Sequence, residues 1–244
     1  MPHAYTRVVR TCTMIVLALL SAPAMAGDWL PLAIGNRWEY RGTAGNHQVE
    51  TIIGTTTVRG RVVAVKRYAE GANAGLENYW LLDPGTGSVM LAGFNNPTAG
   101  IAIAYEPPLT YLQAPPVVGT PFVPRFAFMH DLFTDADLGV IQYLFTVLQN
   151  VVLTLPAGSF DTFGVGAETP VPRPSLAARA TLALDGRVLT GALAGSPDDG
   201  TTDWFSEGTG VVQYKGDDLY QLVGFGNPTP TAAATWGALK ARFH

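Results

Sequence analysis

The sequence predicts a mainly β protein: an antiparallel curved sheet, a partly closed barrel or a two-layer β fold, with a short helix at its C-terminus. Three observations predict it. Strand-like segments separated by turn signals recur through most of the chain. Glycine (27) and proline (18) are plentiful, while charged residues make up only 14% of the 244 residues, well below the usual quarter. Successive segments are joined by loops too short for parallel crossovers, so chain neighbours pair antiparallel.

The chain divides into three parts: a signal peptide over 1–26, a single β-rich domain over 27–228, and a C-terminal linker with a short helix over 229–244. The first part has Arg7 and Arg10, then an apolar run from Met14 to Leu20, then Pro23 and a small-x-small Ala24-Met25-Ala26. That is the template of a secretory signal peptide cut before Gly27. The apolar run is shorter than the about 20 residues a spanning helix needs, so no transmembrane anchor is expected after cleavage. Export implies a periplasmic or extracellular, bacterial address. Cys12 is the sole cysteine and leaves with the signal, so the mature chain has no disulfide and no thiolate metal site. Arg10 beside Cys12, upstream of the apolar run, argues against a lipid-anchor cysteine. Loss of Arg7 and Arg10 takes the net charge from −4 to −6. The remaining basic residues are scattered, which argues against nucleic acid as a partner.

Asn36 to Gly42 reads as a strand with Trp38 and Tyr40 on one face, turned at Ala44-Gly45-Asn46. His47 to Gly54 returns, with Val49, Thr51 and Ile53 alternating against Gln48, Glu50 and Ile52. Thr55 to Val58 and Arg61 to Tyr68 read as a further pair about Arg59-Gly60. Glu77 to Asp83 and Ser88 to Phe94 form a hairpin about Pro84-Gly85-Thr86-Gly87. Residues 95–128 carry seven prolines and read as a long loop rather than central strands. Such a segment lies over a binding face or wraps a sheet edge. Residues 141–155 are almost continuously apolar. Their β-branched and aromatic content favours one or two buried strands; a helix over 136–148 capped by Thr134 or Asp135 is the alternative. Pro170, Pro172 and Pro174 mark an exposed loop. Asp185-Gly186 turns a hairpin between 180–184 and 187–193, and Gly216-Asp217-Asp218 joins 211–215 to 219–225. Beyond Asn227-Pro228-Thr229-Pro230, the residues from Ala232 to Arg242 are good helix formers. Trp236, Leu239 and Phe243 share one face there, which makes it a docked helix or a recognition tag.

Three segments together resemble an uncharacterised family of secreted bacterial β-proteins. Residues 31–40, PLAIGNRWEY, resemble its PLxxGNxWxY opening; 155–161, LPAGSFD, its PAGtFd segment; and 203–212, DWFSEGTGVV, its WyaeGvGlV segment. The resemblance implies an antiparallel β fold, with a lipoprotein-carrier-like curved sheet or half-barrel as one form. It implies no activity and no catalytic residues.

Chemistry is sparse. The histidines left after cleavage are His47, His130 and His244, and none has a partner at metal-ligand spacing. No Gly-x-Ser-x-Gly elbow exists. The aspartates 131, 135 and 137, and 198, 199 and 203, cluster about glycines but do not follow the calcium-loop pattern. The expectation is therefore no catalytic residue, no metal and no cofactor. Trp38, Tyr40, Trp80 and Trp204 are read as core residues, or as the lining of a ligand cavity. Function follows as an exported, non-enzymatic β-domain that binds an apolar or amphipathic ligand or an envelope protein. A structural or protein-interaction module is the alternative, and a hydrolase with unmarked carboxylates a further one.

Overall fold

The computed structural model describes residues 28–119, 125–168, 202–216 and 218–226. They contain twelve strands: β1 (Arg37–Gly42), β2 (His47–Val58), β3 (Arg61–Glu70), β4 (Glu77–Leu82), β5 (Val89–Asn96), β6 (Ile101–Leu112), β7 (Arg125–Asp131), β8 (Asp137–Leu155), β9 (Gly158–Glu168), β10 (Thr202–Ser206), β11 (Gly210–Lys215) and β12 (Leu219–Gly226). Each pairs antiparallel with its neighbours in the chain. β1 pairs with β12 as well as with β2, so the sheet returns on itself as a closed barrel. Closure gives the sheet no terminal strand, though the ladders are partial: β2 meets β1 only over 47–51 and β8 meets β7 only over 137–143.

Side chains alternate across the wall. Trp38 and Tyr40 of β1, Phe94 of β5, Tyr111 of β6, Phe145 of β8, Phe205 of β10 and Tyr220 of β12 are all buried in one cluster. The segment before β1 closes one end. Leu30 is buried in the same cluster, Trp29 meets Phe163 edge-on at 5.6 Å, and the Gly208 amide donates to the Asp28 carbonyl at 2.7 Å. Trp38 Nε1 donates to the Thr209 carbonyl at 2.6 Å, tying β1 to the β10–β11 turn. Gly208 and Gly210 in that turn have positive φ, 74° and 89°.

At the other end of β1, Asp218 joins two turns. Its carboxylate accepts from Thr43 Oγ1 at 2.8 Å, the Ala44 amide at 3.0 Å, Asn46 Nδ2 at 3.2 Å and the Leu219 amide at 2.7 Å. Gly42 permits this approach: a Cβ there would lie 1.9 Å from the Asp218 carboxylate.

Two sequence expectations need correction, and the strand reading of 141–155 holds. Residues 55–58 do not begin a new strand; they continue β2, which runs unbroken through Gly54. The proline-rich 95–128 is not one loop, since it contains all of β6 and the start of β7. The prolines fit because β6 bulges: the β5 partners jump from Ala104 to Leu109, and pairing with β7 stops at Glu106. Pro107 and Pro108 therefore owe no ladder hydrogen bond. Residues 137–155 form a single strand, β8, so the helical alternative for 136–148 is not adopted. The signal peptide, the 180–193 hairpin and the C-terminal helix lie outside the described residues.

Two predictions follow from this architecture. Gly93 (φ 158°) lets β5 and β6 approach, and a Cβ there would stand 2.2 Å from the Ile103 carbonyl oxygen. Gly93→Ala is expected to lower the unfolding free energy by ~2 kcal/mol or more, measured by urea titration. Burial pushes the Asp218 carboxyl up, but the hydrogen bonds from Thr43, Ala44, Leu219 and Asn46 together outweigh it and hold it below the ordinary range. The stabilisation is complete above the unfolded carboxyl value of about 4 and is lost as pH falls through the lower folded value. Asp218→Asn should flatten the acid limb of a melting-temperature profile; an unchanged limb would assign acid sensitivity elsewhere.

Candidate functional site

Inside the barrel the side chains are not all apolar. Antiparallel partners share a face, and Tyr40 stands opposite Gln48 and Trp38 opposite Glu50. The inward aromatics of β1 therefore carry Gln48 and Glu50 inward with them. Ile52 joins these two, while Ile53 is 41% exposed. From β3, Lys66 points to the same place.

Lys66 Nζ lies 2.6 Å from Glu50 Oε2, with side chains 5% and 2% exposed. The ammonium also sits 5.5 Å from the Trp80 ring centroid, 5.8 Å from Tyr68 and 5.9 Å from Trp38. All three distances are within cation–π range. Glu50 Oε1 accepts from Gln48 Nε2 at 2.8 Å, and Gln48 also bonds the Tyr214 hydroxyl. Asn73 Nδ2 donates to Gln48 Oε1 at 3.3 Å. On the far side, the Tyr111 hydroxyl donates to Asp203 Oδ2 at 2.7 Å. Tyr111 packs edge-on against Trp80 at 5.2 Å, and Tyr214 stacks on Tyr220 at 5.0 Å.

These groups surround a void of about 10 Å³ lined by Leu30, Glu50, Lys66, Trp80, Asp203 and Tyr214, among others. That is the lower bound of what one water occupies. Trp80 Nε1 is buried on this lining with no hydrogen-bond partner. Two carboxyl groups, Glu50 and Asp203, share the lining, but Glu50 is engaged by Lys66 and Gln48, and Asp203 by Tyr111.

The residues singled out from sequence fall in two places. Trp38, Tyr40 and Trp80 line or back this cluster. Tyr40 donates its hydroxyl proton to the Val211 carbonyl at 2.8 Å. Trp204 is half-buried, packs against the main core without lining the void, and alternates with the inward Asp203 and Phe205. It covers Gly164 of β9, where a Cβ would meet its ring at 2.9 Å. The aspartates near residue 135 serve separate ends. Asp131 accepts from the Phe133 and Thr134 amides, Asp137 accepts from the Gly139 amide, and Asp135 pairs with Arg59. No group of three or more metal-ligating side chains occurs among the described residues. His47 sits between Glu39 (3.1 Å) and Glu70 (3.3 Å) on the surface.

The outer wall holds a second feature. On β7, Phe126 and Phe128 are 59% and 53% exposed, and Phe128 is paired with the exposed Val140 of β8. Phe133, in the turn between these strands, is exposed too.

The molecule is thus a closed antiparallel β-barrel with a filled, partly charged interior and an apolar patch on its outer wall. No protein-family model matches the chain, and no curated protein matches it. One solved structure, described as a putative lipoprotein from Parabacteroides distasonis, is similar at 11% identity over 82% of this chain and 99% of that chain, with a TM-score of 0.29. A likeness of that degree carries no argument about function.

The buried ion pair makes a specific prediction. Lys66→Met alone leaves Glu50 charged and unpaired, and is expected to cost about 3–5 kcal/mol of stability. Glu50→Gln/Lys66→Met together should cost clearly less than the sum of the two single changes, read as a coupling energy from urea unfolding.

Proposed function

We propose that this chain is an exported, non-enzymatic β-barrel module that works through its outer wall, docking another protein of the bacterial envelope on the β7–β8 face. The observation that carries this reading is the pair Phe126 and Phe128, side by side on one strand with more than half of each side chain in solvent. Large aromatics are strong contributors of buried area at interfaces, and contiguous exposed apolar residues mark interaction surfaces. The filled interior supports docking outside the barrel over a ligand held within it. Export rests on the basic, apolar and small-residue pattern of residues 1–26. The resemblance to secreted bacterial β-proteins belongs to the same reading.

A photo-crosslinking residue at position 128 tests the docking face, with position 152, which is more exposed, as a control on β8. Expected is a discrete adduct with one envelope protein from position 128 and none from 152, abolished by Phe126→Asp with the melting temperature unchanged. Equal labelling from both positions, or collapse of the fold in Phe126→Asp, would sink the reading. N-terminal sequencing of the exported product should begin at Gly27; an intact chain retained in the cytoplasm would remove the envelope from the proposal.

A further inference from the structure

The tip of the β2–β3 hairpin is a two-residue turn, Arg59-Gly60, in which both residues have positive φ, 46° and 75°. This is the turn that favours Asn-Gly or Asp-Gly. An arginine at its first position carries backbone strain. The arginine side chain makes two contacts far along the chain. Its Nε lies 2.5 Å from Glu106 Oε2 of β6, and Nη1 pairs with Asp135 in the β7–β8 turn. Asp135 is itself at φ 60°. The barrel order places β4 and β5 between β3 and β6, so these contacts require the tip to lean across the outer wall.

The ladder agrees. β2 pairs with β1 only over 47–51, and β3 pairs with β4 only over 64–67. Residues 55–63 therefore overhang the barrel as a two-stranded ribbon, a unit that is marginal by itself. The overhang has one covered face. Val63 is buried and Val62 exposed, and Val58 and Val63 join Val65, Tyr79, Ala92 and Ala104 in a small apolar cluster separate from the main core.

We propose that the β2–β3 tip is a flap latched by Arg59, closed over a second apolar surface on the barrel wall, which opens without unfolding the barrel when the two ion pairs are lost. The pairs are solvent-accessible, so each contributes little and is screened by salt. Apart from Tyr79 the covered side chains are small. Opening exposes the wall around Ala92 and Ala104, a face unrelated to the β7–β8 patch in its side chains.

Thiol labelling tests this in the full chain with Cys12→Ser. Ala104→Cys reports the covered wall and Ala127→Cys, buried in the main core, reports the barrel. Raising salt from 50 mM to 1 M should speed labelling at 104 by about fivefold and leave 127 unchanged. Arg59→Asn removes the ion pairs while suiting the turn. It should reach the high-salt rate at low salt and abolish the salt dependence. Equal acceleration at 104 and 127 would mean global opening and overturn the flap. An unchanged rate at 104 in Arg59→Asn would overturn the latch.

Discussion

Insertion of β1 between β2 and β12 is the constraint on which the rest of the structure depends. Once the sheet closes, every inward side chain faces other side chains rather than water, and whatever the chain places there must be satisfied internally. Much of the filling is aromatic, with rings packed edge-on, tilted or stacked at 4.6–6.1 Å around Tyr111 and Tyr214. The exception is the Lys66–Glu50 pair at the centre. A buried charge is tolerable only with a partner and with its remaining valences met. Gln48 meets those of Glu50, and three ring faces meet Lys66. Such a pair adds little net stability over an apolar filling of the same volume. It does penalise any register that separates β2 from β3, because a one-residue slip would turn the slipped strand's charge outward and leave its partner buried and unpaired.

The same accounting separates inside from outside. Inside, Glu50, Gln48, Lys66, Asp203, Tyr111 and Tyr214 engage one another, while Trp80 Nε1 is left without a hydrogen-bond partner. The outer wall is different. Its charges form exposed pairs such as Arg67 with Glu77 and Arg37 with Glu39. Among the described residues its exposed phenylalanines, Phe126, Phe128 and Phe133, gather on β7 and at the turn that follows, while exposed aliphatics such as Ile34, Val62 and Val152 are scattered. Asp131 shapes that turn by accepting from two backbone amides and the Thr134 hydroxyl, which holds its carboxyl below the ordinary range. Asp83 does the same in the β4–β5 turn with Gly85 and Thr86. Both turns are Asp-x-x-Thr, a local device that needs no tertiary help.

Much of the fold was legible because it is local. The hairpins about Ala44-Gly45-Asn46, Arg59-Gly60 and Pro84-Gly85-Thr86-Gly87 announce themselves by turn residues, and sequential hairpins imply antiparallel pairing. The errors came where pairing geometry overrode composition. The prolines of β6 are accommodated by a bulge that no proline count reveals. The central cluster was hidden for a related reason. On β2 the alternation of Val49, Thr51 and Ile53 suggests an apolar inner face, yet Gln48, Glu50 and Ile52 are the inward set. The signal lay in the cross-strand register: Trp38 and Tyr40 face inward, and a short turn places Glu50 and Gln48 opposite them.

By itself, then, the sequence determined the strand character of the domain, its antiparallel order and the burial of Trp38, Tyr40 and Trp80. Each follows from short-range periodicity and turn chemistry. Only the tertiary structure decided that the sheet closes, that Lys66 meets Glu50 at its centre, and that Arg59 reaches across two strands to Glu106 and Asp135. Those contacts join residues 16, 47 and 76 positions apart, and their geometry is set by barrel closure and bulges, which leave no periodic mark in the chain.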